Sequence, residues 1–271
     1  MTTIADLLDV LGHEVRVDVR PGTDPDATPL LLLMGLGGNV EMWEPFRTLL
    51  ARRTGATTVA YDVPGTGGSP TPLRPLPLCE HAKVAVGVAD AVGLDRFDVL
   101  GLSWGGLLAQ QTATTAPQRV RRLVLANTNF GIGSVPGDVD ALRVLSTPGR
   151  YHSPDDLVDA TRVLGGHEHD VPAAAHTAAR FLRPPSGRGY LYQLLALVGW
   201  SSLPVLPLLR QPVLVLNGDD DRAVPLVNSR IMSRLLPRGE LAVVRGGGHL
   251  MLFDRTPEVV EVVAGFLTRR R

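Results

Sequence analysis

Short apolar runs and amphipathic stretches take turns along this chain. VRVDVR (residues 15–20) alternates apolar and polar positions, the pattern of an early antiparallel strand with one wet face. PLLLLMG (29–35) and TTVAYD (57–62) are continuous apolar runs stopped by glycine or by a turn-rich segment, as strands buried on both faces should be. Between them, VEMWEPFRTLLARR (40–53) has helical spacing. A long helix is predicted over CEHAKVAVGVADAVG (79–93), then a strand over FDVLGLS (97–103). GGLLAQQTATTAP (105–117) reads as a helix ended by Pro117, and RLVLANT (122–128) as the next strand. PVLVLNG (212–218) and ELAVVRG (240–246) follow as strands much later, with a last helix over about 257–267.

Apolar strands alternating with helices are βαβ units. The expected fold class is α/β, with a mostly parallel central sheet and helices on both faces. The rhythm breaks once, between Asn129 and Gln211. An interruption of that length points to an inserted helical lid (129–211) on a core made of 1–128 and 212–271. It contains GIGSVPGD, GGHEHD and the apolar GYLYQLLALVGW.

Composition narrows the classes. The chain has 271 residues, 44% of them hydrophobic, with formal net charge +0. A sizeable core follows, and nothing pulls the protein toward nucleic acid or an anionic membrane. One cysteine, Cys79, excludes an internal disulfide and reads as a small apolar side chain. The N-terminal stretch has no basic region followed by an apolar one, so no secretory signal is expected. The apolar stretch 191–209 is broken by Gln193, two serines and two prolines, so no transmembrane segment is expected either. A cytoplasmic location follows from these readings.

Gly101-Leu102-Ser103-Trp104-Gly105 matches G-x-S-x-G, with a strand before it and a helix after it. That context puts a serine on a strained strand-to-helix turn, beneath a helix N-terminus. The partner base should lie on a loop after a late strand. His249, following Gly246, Gly247 and Gly248, has that setting. His13, His81, His152, His167, His169 and His176 all precede residue 212 and do not. His167 and His169 form an H-x-H pair without an evident third ligand, and no metal site is assigned. The acid should follow strand 212–218, where Asp219, Asp220 and Asp221 stand. Asp221, three residues past Gly218 and four before Pro225, is the choice, with its neighbours as turn residues. The order serine, acid, histidine is that of α/β-hydrolases. Backbone N–H groups of Trp104 and Leu36, with Gly37 as the alternative to Leu36, are expected to form the oxyanion hole. Tyr190, Tyr192, Leu195 and Trp200 are candidate substrate-binding residues of the lid.

LLLMGLGGNVEMWEPF, AYDVPGTGGSPTP, GLSWGGLLAQQ, GWSSLPVLPLLRQPVLVLNGDDDRAVPL and GGGHLMLF together resemble the intracellular depolymerases of medium-chain-length polyhydroxyalkanoate, within the α/β-hydrolase superfamily. The resemblance runs from about Leu30 to Phe253 and includes GRYHSP and GYLYQLLALVGW. It is looser over 70–86 and 165–179. It implies Ser103, Asp221 and His249 as nucleophile, acid and base, and hydrolysis of a hydrophobic polyester to 3-hydroxy acids. It also implies association with storage granules and no cofactor. A small-molecule esterase or lactonase, a C–C hydrolase, a haloperoxidase-like enzyme, an acyl transferase or a ligand receptor would carry similar motifs.

Overall fold

The computed structural model describes residues 4–151, 153–165 and 183–269. Among them, eight strands form one sheet: β1 (Ile4–Val10), β2 (His13–Arg20), β3 (Leu30–Leu33), β4 (Thr58–Tyr61), β5 (Phe97–Leu102), β6 (Val120–Ala126), β7 (Val213–Gly218) and β8 (Gly239–Val244). Their order is β1-β2-β4-β3-β5-β6-β7-β8. The pairs β1–β2 and β2–β4 are antiparallel and the rest parallel. Strand β1 was not expected. Its pattern is weak because it is an edge strand with Leu7 exposed, and Leu11 and Gly12 turn it tightly into β2 at positive φ.

Alternate side chains of the parallel strands face opposite layers. Leu31 and Leu33 pack with α2 (Leu78–Ala91), α3 (Trp104–Thr115) and Met232 of a helix at Leu226–Leu235. Leu30 and Leu32 pack with α1 (Phe46–Thr54) and the last helix, Thr256–Thr268. The helix expected over 40–53 is two pieces. A 3-10 turn at Val40–Trp43 stops where Pro45 lacks an N–H to continue it, and α1 begins at Phe46. The helix at Leu226–Leu235 was not expected, although Ile231, Met232 and Leu235 pack on the core. Its buried face carries Asn228 and Ser229, and Asn228 bonds both backbone groups of Val135.

Between β6 and β7 the described part of the inserted segment contains α4 (Val139–Ser146), a 3-10 turn (Pro148–Tyr151), α5 (Pro154–Leu164) and α6 (Gly187–Leu195). Several buried polar contacts tie it to the core. Gln110 of α3 donates to the Asn129 carbonyl and accepts from Ser202. Gln193 of α6 accepts from the Gly37 N–H. Among the described residues, no helix is long and apolar enough to cross a membrane.

Candidate active site

Ser103, Asn127, Asp221 and His249 all follow the carboxyl ends of parallel strands, where open α/β sheets place their sites. Sequence-distant side chains converge there because β5, β6, β7 and β8 are consecutive neighbours in the sheet.

Ser103 sits between β5 and α3 at φ 53, ψ −118, a conformation a side-chain-bearing residue rarely holds. Its flanking glycines are a steric demand. A Cβ on Gly101 would lie 2.1 Å from the Gly105 carbonyl oxygen, and one on Gly105 would lie 2.0 Å from that of Leu33. The elbow is tied down by Ser103 N–H to the Ala126 carbonyl (2.8 Å) and by Thr128 Oγ1 to the Ser103 carbonyl (2.8 Å). Gly35 passes close enough that its Cβ would meet that of Ser103 at 3.5 Å.

His249 Nε2 lies 2.9 Å from Ser103 Oγ, and Nδ1 lies 2.9 Å from Asp221 Oδ2 and 3.1 Å from Oδ1. A carboxylate only accepts, so Nδ1–H donates to Asp221 and Nε2 is left as the acceptor for the serine hydroxyl. Such a chain can draw the proton from Ser103. Both Asp221 and His249 are buried. Asp221 Oδ1 also accepts the backbone N–H groups of Ala223 (2.9 Å) and Val224 (2.8 Å). Of the three neighbouring aspartates, Asp221 alone reaches His249. Asp219 Oδ1 instead accepts the Gly246 N–H and holds the loop before the histidine.

One participant escaped the sequence reading. Asn127 Nδ2 donates to Asp221 Oδ2 (2.7 Å) and to the Gly248 carbonyl (3.2 Å), at a positive φ of 46. Its only sequence signal is an asparagine at the end of a strand beside the strand that leads to Ser103. The inserted segment contributes too: the His249 N–H donates to the Leu164 carbonyl at the end of α5 (2.9 Å).

Ser103, Leu36 and Leu145 line two adjoining spaces. One, between Ser103 and His249, holds about 30 Å³. The other, of about 380 Å³, is walled by Trp104, Leu107, Leu142, Leu194 and Leu197 among others. Its lining is mostly apolar, as a site for a hydrophobic ligand should be. None of the four residues expected at the substrate, Tyr190, Tyr192, Leu195 and Trp200, lines either space. Tyr190 is fully buried and its hydroxyl donates to the Leu145 carbonyl. Trp200 donates its indole N–H to Gln111, and Leu195 is exposed. Tyr192 is part-buried away from the cavity. Leu194, near the end of α6, and Leu197, in the turn that follows it, line the larger space instead.

The Trp104 N–H is at the first position of α3, where helical N–H groups have no acceptor within the helix. The Gly37 N–H donates to Gln193 Oε1 (2.8 Å). His13 opens β2. His81 is buried against the Trp104 ring, edge-on at 5.4 Å between centroids, and burial lowers its pKa from 6.5 to about 4. His152, His167, His169 and His176 lie outside the described residues. Cys79 is exposed on α2, not packed as an apolar filler.

Residues 28–256 match the alpha/beta hydrolase fold family. A poly(3-hydroxyalkanoate) depolymerase of Ectopseudomonas oleovorans is 38% identical over 261 residues, covering 96% of this chain and 91% of that protein. Among solved structures, the enol-lactonase of Burkholderia xenovorans LB400 superposes with a TM-score of 0.80 at 23% identity, over 96% of this chain and 98% of that one. An esterase from Exiguobacterium antarcticum gives 0.79 at 20% identity, over 96% and 97%. These two likenesses carry the fold. The family match and the depolymerase relative carry more: the chain belongs to the α/β-hydrolase family, and is similar to poly(3-hydroxyalkanoate) depolymerases within it.

Proposed function

We propose that this protein is a serine esterase whose substrate is a hydrophobic poly(3-hydroxyalkanoate), cleaved through an acyl-enzyme on Ser103. Family membership and the depolymerase relative support hydrolysis of an ester. The observation that carries the mechanism is the hydrogen-bonded run from Ser103 Oγ through His249 to Asp221, opening onto an apolar cavity.

In this reading His249 Nε2 takes the hydroxyl proton as Ser103 Oγ attacks the ester carbonyl. Asp221 holds the imidazole in the Nδ1–H tautomer and stabilises the imidazolium that forms. The Leu36 and Trp104 N–H groups stabilise the oxyanion. Gly37, the alternative to Leu36, donates its N–H to Gln193 Oε1. His249 returns the proton to the departing alcohol oxygen. Water, deprotonated by the same nitrogen, then releases the 3-hydroxy acid and restores Ser103.

The polymer reading rests on the relative and on two features of the inserted segment. The cavity beside Ser103 suits an aliphatic side chain. Ile132, Val198 and Leu203 are exposed apolar residues of the same segment, and Ile132 N–H bonds the Trp200 carbonyl, which brings the first near the others. An exposed apolar patch of this kind suits a polyester granule surface. The segment 129–211 acts as the lid of a core formed by 1–128 and 212–271.

The test is one set of assays. Purified protein and Ser103→Ala are given a medium-chain polyhydroxyalkanoate suspension, p-nitrophenyl esters of rising chain length, and an acyl-CoA. Soluble 3-hydroxy acids from wild type and none from Ser103→Ala are expected. Rapid turnover of short esters with the polymer untouched would replace the polymer by a small ester or lactone. Binding without turnover would make the protein a receptor.

A further inference from the structure

Gln193 belongs to the inserted segment, yet it touches both backbone elements assigned above to the oxyanion. Its side-chain Oε1 accepts the Gly37 N–H at 2.8 Å, and its main-chain carbonyl accepts the Trp104 indole N–H at 2.9 Å. Both bonds are buried and Gln193 is 1% exposed. Gly37 lies at φ 71, in the left-handed region, immediately after Leu36. Fixing the Gly37 N–H fixes the peptide plane that joins it to Leu36 and so restricts the direction of the preceding residue. On the other side, the Trp104 indole donates to the Gln193 carbonyl and packs nearly perpendicular to the His81 ring.

We propose that Gln193 is a positioning residue: it clamps the turn after β3 and the start of α3 to one another, and so sets the spacing of the Leu36 and Trp104 N–H groups around the oxyanion. The inference rests on the serine-hydrolase reading above. Its physical content is preorganisation. Donors fixed before the reaction stabilise charge that develops only in the transition state, whereas donors left to drift must reorganise first. If α6 were displaced, the Gly37 N–H and the Trp104 indole N–H would both lose a buried acceptor, so the geometry of the two segments that carry the oxyanion donors is coupled to the seating of α6. Gln193 does not line either cavity beside Ser103, so substrate affinity should not depend on it.

The test compares wild type, Gln193→Leu and Gln193→Asn on p-nitrophenyl octanoate, with rates expressed per site titrated by a fluorophosphonate so that any misfolded fraction drops out. An alkyl boronic acid, which forms a tetrahedral adduct on the serine, reports the transition state, and octanol reports the ground state. Deleting an oxyanion donor outright costs about 10²–10³ in kcat. The bond to Trp104 is to the Gln193 main chain and survives the substitution, so releasing the Gly37 side of the clamp, and with it displacing the Leu36 donor, should cost about 10–100-fold. In Gln193→Leu, kcat per site is expected to fall by that factor and boronate affinity in parallel, with KM and octanol affinity within about twofold of wild type. Gln193→Asn, too short by one methylene to reach Gly37 from the same backbone, should fall in the same direction. A lowered Tm with kcat per site and boronate affinity unchanged would make Gln193 merely structural and overturn the proposal. So would a raised KM at unchanged kcat. Full turnover in Ser103→Ala would instead remove the hydrolase reading on which this one stands.

Discussion

Asn127 Nδ2 donates to Asp221 Oδ2 at 2.7 Å, so the carboxylate that faces His249 is held from a neighbouring strand as well as from its own loop. The same amide reaches the Gly248 carbonyl, one residue before His249. One side chain therefore registers the acid loop against the histidine loop.

Asn127→Gly should show this directly. Glycine keeps the positive φ without strain, so the lost side chain is the main change. Removing a hydrogen bond to a charged group costs about 1.5–3 kcal/mol. If that is felt in orienting His249, kcat falls by about 10–100-fold with KM little changed. Asn127→Asp, which sets a second carboxylate against Asp221, should lose more. Steady-state kinetics on a soluble ester checks both.

Asp221→Asn should lower kcat by about 10⁴, because an amide can present the wrong tautomer of His249 and no longer stabilises the imidazolium. Asp219→Asn and Asp220→Asn should stay within about tenfold of wild type, since neither carboxylate contacts the histidine ring. Loss in Asp220→Asn with activity kept in Asp221→Asn would reverse the assignment.

His81 predicts a pH effect on stability. It is 2% exposed, and neither ring nitrogen has a hydrogen-bond partner among the described residues. Burial lowers its pKa from 6.5 to about 4, so the folded state favours the neutral ring. Its contribution is fully present above pH 6.5 and is lost as pH falls from there through about 4, a change of roughly 3 kcal/mol. Asp62 acts in the opposite sense. Burial raises its carboxyl to about 6, so the folded state gains on protonation as pH falls through 6 toward the ordinary 3.8. A difference between variants isolates His81. His81→Phe, compared with wild type by urea unfolding at pH 7 and pH 4.5, should gain relative stability toward the lower pH. An unchanged difference would mean that the ring does not titrate in this window.

Chain-length preference should answer to the cavity wall. Leu142 lines the larger cavity and is 40% exposed, so a bulkier residue there need not disturb the core. Leu142→Trp should shift the optimum to shorter acyl chains. Each excluded methylene lowers kcat/KM by about fourfold, from about 0.8 kcal/mol of lost burial. Tyr192→Ala, off the cavity, should leave the profile unchanged. A series of p-nitrophenyl esters measures both.

Much of the fold was legible because a buried parallel strand must be a continuous apolar run, and Leu30–Leu33 and Val213–Gly218 are such runs. Elements that deviate from that pattern were not. Strand β1 exposes Leu7 on an edge, and the helix at Leu226–Leu235 mixes buried Asn228 and Ser229 with its apolar Met232. Ser103 was legible through its two glycines, since a side chain at either would strike backbone. His249 was legible as the one histidine following the late strands.

By itself, then, the sequence determined the alternation of elements, the elbow at Ser103 and the order serine, acid, histidine, all properties of local pattern and steric demand. Spacing to Gly218 and Pro225 singled out Asp221 among three adjacent aspartates; that Asn127 braces it, and that Leu194 and Leu197 rather than Tyr192 and Leu195 face the cavity, were decided only in the tertiary structure. The reason is geometric. Those outcomes depend on strands β5 to β8 lying side by side and on the rotation of α6 against the core, and both are set by contacts between residues about 30 to 150 positions apart.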